Sequence, residues 1–321
     1  MLHVGIHLAQ MGERKTGKME LIKPKRLQKG DTIGFVAPCY VIEQKETDRA
    51  KKELENLGYH VKYAPNLFSS EWGFAGTAQQ RADDFNGMIK DNDVKMLLFT
   101  GGEVSTDLLP LLDYSLIRSN AKIICSYSDS TTLLSAIYSK SKIVTFYGQS
   151  IRTFNVKEPY NLNSFIQRIV KGELTYTPAM PWYTIHGGIA QGELIGGYLG
   201  NYALIQNTKY YQLEDNKKYL LFLEDHENFV EPAAVSRYLS ALEQDGLFEH
   251  TSGLIFGHYS EHEQPLIKEI LGRIGNKYNI PVVWTQDFGH GRYNSIFPIG
   301  VEAELNADSG EFRFLESGVI D

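Results

Sequence analysis

Acyl transfer at an amide needs a hydroxyl to attack, a base to take its proton, an acid to hold that base in one tautomer, and N–H donors for the oxyanion that develops. Ser128, Glu224 and His290 can fill the first three roles. Each stands just past a short apolar run, in Lys122-Ile-Ile-Cys-Ser-Tyr-Ser-Asp, Leu221-Phe-Leu-Glu-Asp-His and Val282-Val-Trp-Thr-Gln-Asp-Phe-Gly-His-Gly. The chain order, serine then acid then histidine, is that of one known triad arrangement. Ser126 and Ser130 flank the serine, however, where a G-x-S-x-G elbow has glycines. The amide of Asp129, at the start of a helical pattern, and an amide of Gly101-Gly102 are the candidate oxyanion donors. Each residue also has a plainer use. Ser-Asp-Ser caps helices, a histidine between glycines suits a surface turn, and Glu224 beside Asp225 and Glu227 suits a solvated charge cluster.

The elements that must position these groups follow from hydrophobic period and punctuation. Asp31 to Pro38 reads as a buried strand, Glu43 to Leu57 as an amphipathic helix stopped by Gly58, and 60–64 as a second strand. Thr77 to Lys90 is helical with Thr77 as cap, Val94 to Thr100 is a strand running into Gly101-Gly102, and Asp107 to Asp113 is a short helical segment. The Ser128 strand and its helix come next, then a strand Ile143 to Tyr147 and a helix near Leu162 to Val170. Strands alternating with helices predict an α/β fold with a mostly parallel sheet, and ligands bind at the carboxyl ends of such strands.

Residues 1–18 carry no period and are set aside as a flexible extension, so the nucleophile domain spans 19–170. Pro178, Pro181, Gly187 and Gly188 interrupt the pattern over 171–190, which reads as an interdomain connection. Residues 191–321 then form a second, smaller α/β domain carrying the acid and the base. Its expected parts are a Gly-rich entry, the strand to Glu224, a helix Pro232 to Glu243, a strand Gly253 to Gly257, a helix Pro265 to Tyr278, a strand Pro281 to Trp284 and a β-rich tail.

Composition narrows the function classes. The chain has 321 residues, 42% hydrophobic and 22% charged, with no apolar window near the ~18–20 residues that span a bilayer. Its formal charge of −7 opposes a phosphate backbone, so neither nucleic acid nor membrane is an expected partner. Two cysteines, Cys39 and Cys125, make no disulfide framework, and the first residues lack a secretory pattern, which together predict a cytoplasmic protein. No cofactor is expected, because Gly196-Gly197-Tyr-Leu-Gly200 is not a dinucleotide fingerprint. No metal is expected either, since His258 and His262 stand four apart in a loop-like stretch without H-E-x-x-H.

Taken together, Lys29-Gly-Asp-Thr-Ile-Gly-Phe-Val-Ala-Pro, Ala75-Gly-Thr with Arg81 and Asp84, Gly101-Gly102, Tyr127-Ser-Asp, Gly196-Gly197, Leu223-Glu-Asp, Gly253-Leu-Ile-Phe-Gly and Phe288-Gly-His-Gly are specific. On these motifs the chain resembles the LD-carboxypeptidase family of serine peptidases, which includes muramoyl-tetrapeptide carboxypeptidases and microcin C immunity peptidases. The resemblance runs from about Ile22 to Phe314. It implies a flavodoxin-like N-terminal domain, a C-terminal domain and an active site between them. Ser128 then matches the nucleophile, Glu224 and His290 its triad partners, and the amides of Gly102 and Asp129 the oxyanion hole. Where the family usually shows Gly-Tyr-Ser-Asp this chain has Ser126, and where it often shows Gly-Gly-Asn it has Tyr198.

The expected function is therefore a serine carboxypeptidase that releases a terminal D-amino acid from a muropeptide tetrapeptide. An immunity-type peptidase acting on an aminoacyl-nucleotide amide is the alternative, with Trp182-Tyr183 able to stack on a base and Ser105 in a neighbourhood resembling that subgroup. A binding protein that lost catalysis is a third reading. The partner is a small peptide or muropeptide, and a homodimer is compatible with the sequence. Gly101, Trp182 and Arg292 are the candidate substrate contacts. Arg292, two residues past the base, can read a terminal carboxylate with paired hydrogen bonds, or can face solvent from a Gly-rich loop.

Overall fold

The structure is a computed structural model that describes residues 19–102, 106–262 and 264–321. The proposed extension over 1–18 and the Ser105 neighbourhood lie outside the described residues. The fold is mixed α/β, built on two sheets.

In the N-terminal half the elements are β1 (Thr32–Val36), α1 (Gln44–Asn56), β2 (His60–Tyr63), α2 (Ala78–Lys90), β3 (Val94–Phe99), α3 (Tyr114–Ser119), β4 (Ile123–Ser126), α4 (Thr131–Ser141), β5 (Thr145–Tyr147) and α5 (Pro159–Phe165). The strands pair in parallel in the order β2-β1-β3-β4-β5, the flavodoxin-like order. β4 is buried at every position and β3 at all but Lys95, as strands covered on both faces must be. Local signals hold where they are strong. Thr77 and Gln80 form a reciprocal capping box at the head of α2, with bonds of 3.1 and 2.9 Å.

The C-terminal half contains β6 (Tyr183–His186), β7 (Ile189–Tyr198), α6 (Leu199–Ile205), β8 (Tyr219–Glu224), α7 (Pro232–Gln244), β9 (Thr251–His258), α8 (Pro265–Tyr278), β10 (Val282–Gly289), β11 (Phe297–Ile299), β12 (Glu302–Asn306) and β13 (Glu311–Phe314). Its sheet runs β13-β12-β7-β8-β9-β10-β6, with β7 through β10 parallel and antiparallel strands at both edges.

Chain crossings differ from the sequence expectation at two places. The 171–190 connection contains β6, which pairs antiparallel with β10, so the segment is partly an edge strand of the C-terminal sheet. β11 leaves that half of the chain and pairs antiparallel with β5, extending the N-terminal sheet. The short helix α3 was not expected; Asp113 caps it by accepting the N–H groups of Ser115 and Leu116, and six residues are too few to show a period. The strand expected from Ile143 begins only at Thr145, because Ile143 pairs instead with Ile22.

α4 joins the halves. It is buried on nearly every side, from Thr131 through Tyr138, and packs on α3 and β5 behind it and on α6 and β7 in front. The residue at its head is thereby fixed at the junction of the two sheets.

Candidate active site

β4 ends at Ser126, Tyr127 is extended, and Ser128 turns to a positive φ of 61°, outside the regions an L-residue prefers. Ser128–Ser130 forms one tight turn that runs into α4. Surrounding bonds hold this geometry. The Ser128 amide donates to the Tyr147 hydroxyl at 3.1 Å, and the Ser128 carbonyl accepts from Thr131 Oγ1 at 2.7 Å. Thr131 Oγ1 in turn accepts the Tyr198 N–H at 2.9 Å, a link across to the C-terminal half. Ser126, the departure from the family glycine, is buried, and its hydroxyl donates to that of Ser130 at 2.9 Å.

Glu224 ends β8 and His290 immediately follows β10, and both strands flank β9, so acid and imidazole emerge from the same sheet edge. The edge faces the Ser128 turn. Ser128 Oγ lies 2.7 Å from His290 Nε2, and His290 Nδ1 lies 2.8 Å from Glu224 Oε2. A proton on Nδ1 satisfies the carboxylate and leaves the Nε2 lone pair to the serine.

Burial alone would push the His290 pKa down. The charge and hydrogen bond of Glu224, with Asp225 and Asp129 nearby, more than offset this and hold it above the usual histidine value. Asp225 is also buried. Its Oδ1 accepts the His226 N–H at 2.8 Å, and Tyr198 faces the carboxyl, yet Oδ2 has no hydrogen bond of normal geometry among the described residues. Desolvation, with Glu224 beside it, pushes its pKa up to about 7. Burial lowers the pKa values of His226 and His258, whose rings lie tilted with centroids 5.2 Å apart.

Around His290 stand Tyr198 at 4.9 Å, Phe229 at 5.2 Å and Tyr127 at 5.3 Å between ring centroids. Phe229 is largely exposed, which gives the mouth an apolar lip. Gly102 follows β3 with φ 120°, and a β-carbon there would meet Tyr40 Cβ at 2.7 Å. A backbone amide can approach a ligand there where a larger residue has no room. Beside Gly101 stands Arg152, whose Nη1 would lie 3.7 Å from a β-carbon on that glycine; its Nε donates to Glu46 at 3.1 Å.

Two sequence candidates do not join this group. Trp182 is buried inside the C-terminal half, its Nε1–H donating to Asp287 at 2.7 Å and its ring stacked on Phe312 at 5.4 Å. Arg292 points along the surface, with Nε donating to Glu158 at 2.6 Å. The residues that sequence reasoning missed are Tyr147, Asp225 and Arg152. The carboxylate pair in Leu223-Glu-Asp was a signal for Asp225, whereas Tyr147 and Arg152 gave none, because strand pairing places Tyr147 and a tertiary contact with Gly101 places Arg152.

The LD-carboxypeptidase N-terminal domain model matches residues 33–148, and the C-terminal domain model matches residues 191–305. A probable murein peptide carboxypeptidase of Bacillus subtilis (strain 168) is 31% identical over 311 residues, covering 93% of this chain and 96% of that one. The chain belongs to the LD-carboxypeptidase family. The microcin C7 self-immunity protein MccF of Escherichia coli, another relative, is 28% identical, covering 89% of this chain and 94% of its own. A solved structure of MccF in complex with aspartyl sulfamoyl adenosine superposes with a TM-score of 0.84 at 27% identity, covering 93% of this chain and all of that one. This LD-carboxypeptidase family member has no described helix long and apolar enough to cross a membrane.

Proposed function

We propose that this family member is a serine carboxypeptidase that cleaves an amide between an L-configured centre and a terminal D-amino acid, with a muropeptide tetrapeptide as substrate. The observation that carries it is the hydrogen-bonded series from Ser128 through His290 to Glu224, at 2.7 and 2.8 Å, built on a strained turn at a sheet junction. His290 Nε2 takes the Ser128 proton as Oγ attacks the scissile carbonyl. The amides of Asp129 and Gly102 receive the oxyanion; that of Ser128 is already engaged with Tyr147. His290 then protonates the leaving amine, and water, deprotonated by the same imidazole, resolves the acyl-enzyme. Glu224 holds the ring in one tautomer throughout.

A carboxypeptidase must also recognise the terminal carboxylate. Arg152 is the cation beside Gly101-Gly102, and Nη1 faces that loop while Nε stays with Glu46. We assign the carboxylate to Arg152 rather than to Arg292. Since neither cysteine forms a disulfide, the chain also suits a reducing, cytoplasmic setting.

The second reading, cleavage of an aminoacyl-nucleotide amide, draws on the likeness to MccF and on the aromatic lip of Tyr127, Tyr198 and Phe229. Trp182, buried against Phe312, lends it no support. Mass spectrometry of products from muropeptides and aminoacyl sulfamoyl adenosines decides between the two. Release of D-alanine from tetrapeptide, lost in Ser128→Ala with folding intact, is the expected result. Turnover of the nucleotide amides alone replaces the first reading with the second, and full activity of Ser128→Ala removes both.

A further inference from the structure

Tyr147 ends β5, the last parallel strand of the nucleophile sheet, and its side chain is wholly buried. Its phenol oxygen accepts the Ser128 backbone N–H at 3.1 Å, and its O–H is directed at Glu224 Oε1. The other oxygen of that carboxylate, Oε2, is the one 2.8 Å from His290 Nδ1. Glu224 is thus held from both sides, by the imidazole of its own half and by a phenol from the other. The ring of Tyr147 packs 5.5 Å from that of Phe222, two residues before Glu224 on β8, so the phenol has little freedom to leave.

We infer that Tyr147 is a positioning residue for the proposed hydrolysis: one hydroxyl fixes the turn that presents Ser128 and orients the acid that orients His290. The inference rests on the serine-peptidase reading. Two physical needs support it. A fully buried carboxylate with a single partner leaves an oxygen desolvated and unpaired, which is costly. The phenol supplies the missing donor, and it stays protonated, because burial and the adjacent Glu224 charge raise its pKa well above the usual tyrosine value. Ser128, in turn, occupies a conformation that persists only when its neighbours over-determine it. The bond from its amide to Tyr147 is one of those constraints, and it comes from a strand that β11 ties to the C-terminal half. A single atom therefore makes nucleophile and acid geometry depend on the same docking of the two halves.

The test replaces Tyr147 with phenylalanine, which keeps the ring and removes the hydroxyl. Wild type and variant are compared on muropeptide tetrapeptide across pH, alongside labelling by a serine-directed phosphonate and thermal unfolding. The expected result is a kcat lower by roughly ten- to a hundredfold with KM within about twofold, since the loss falls on orientation rather than on substrate contacts. The acid limb of kcat/KM moves to higher pH. Without the phenol, the charge of Glu224 concentrates on the oxygen facing His290 and favours the imidazolium. The other groups that face this pair stay in place: Asp225 and His226 beyond β8, His258 at the end of β9, Tyr198 at the end of β7, and Tyr127 and Asp129 in the serine turn.

Site-specific 3-fluorotyrosine at position 147 covers the case in which the phenylalanine variant folds poorly. Its more acidic hydroxyl donates more strongly, so the limb moves the opposite way, to lower pH. A variant that only unfolds at lower temperature, with its pH limb and kcat unchanged, overturns the proposal, as does a fluorinated protein with an unmoved limb. A wild type that neither hydrolyses tetrapeptide nor takes the label removes the serine-peptidase reading itself and the proposal with it.

Discussion

A β-carbon on Gly289 would lie 2.7 Å from Oε2 of Glu224, the oxygen that meets the His290 ring. Gly289 also sits at φ 94°, in the left-handed region that only glycine enters without strain. The glycine before the histidine is thus a requirement of the acid as much as of the turn.

Gly289→Ala is expected to cost roughly 1–3 kcal/mol of stability from the backbone alone. The added methyl displaces the carboxylate, and a misplacement of about an ångström lowers kcat on the order of a hundredfold. Steady-state kinetics with urea unfolding measures both. A variant with wild-type kcat would show that Glu224 tolerates displacement and does not orient the ring.

The neutral imidazole is the form that accepts the serine proton, so kcat/KM should rise with pH and level off above the His290 pKa. Burial lowers that pKa, but Glu224, Asp225 and Asp129 together raise it above 6.5, which places the midpoint of the acid limb above this value. The measurement is kcat/KM on tetrapeptide from pH 5 to 9. A midpoint below 6.5 contradicts the balance of charges described for the site.

Asp225 gives a stability signature separable from activity. Its pKa is raised in the folded state from 3.8 to about 7, so the native state binds the extra proton and stability is lost as pH rises between these values. Asp225→Asn fixes the neutral form while keeping the oxygen that accepts the His226 N–H. Relative to wild type, the variant should gain stability as pH rises from 4 through 7 and hold a constant difference above that. Urea midpoints at several pH values report it, and a difference that does not vary with pH shows that Asp225 is ionised in the fold throughout.

Removing each arginine assigns the carboxylate. Arg152→Ala should raise KM on the free-acid tetrapeptide by roughly tenfold or more while sparing the C-terminally amidated peptide. Arg292→Ala, which removes a surface pair with Glu158 and a contact over the Tyr293 ring, should change neither by more than about twofold. An equal rise on acid and amide in Arg152→Ala means that the guanidinium shapes the Gly101-Gly102 loop rather than reading charge.

Much of this molecule was legible in its sequence, because local physics decides the features concerned. Apolar runs of strand length, the cap at Thr77 and the stop at Gly58 act over a few residues, so β1, α1, α2 and α8 fall within a residue or two of expectation. The placement of Ser128, Glu224 and His290 was legible for the same reason, since each stands at the end of its own apolar run, and the serine before a helix cannot sit far from a sheet edge. Their hydrogen-bonded series is a tertiary fact: Ser128 and His290 are 162 positions apart, and only the facing of two sheets across α4 sets 2.7 Å between them. Trp182 and Arg292 show the converse. An aromatic in a broken pattern and a cation beside a histidine suggest ligand contacts, yet Asp287 and Glu158, each more than a hundred positions away, claim them. Tyr147 had no sequence signal at all. A tyrosine at a strand end is ordinary, and its role exists only because β4 and β8 bring an amide and a carboxylate to the same oxygen. Types and spacing along the chain specified the chemistry available; which side chains spend their hydrogen bonds on it was decided by packing between segments that share no local period.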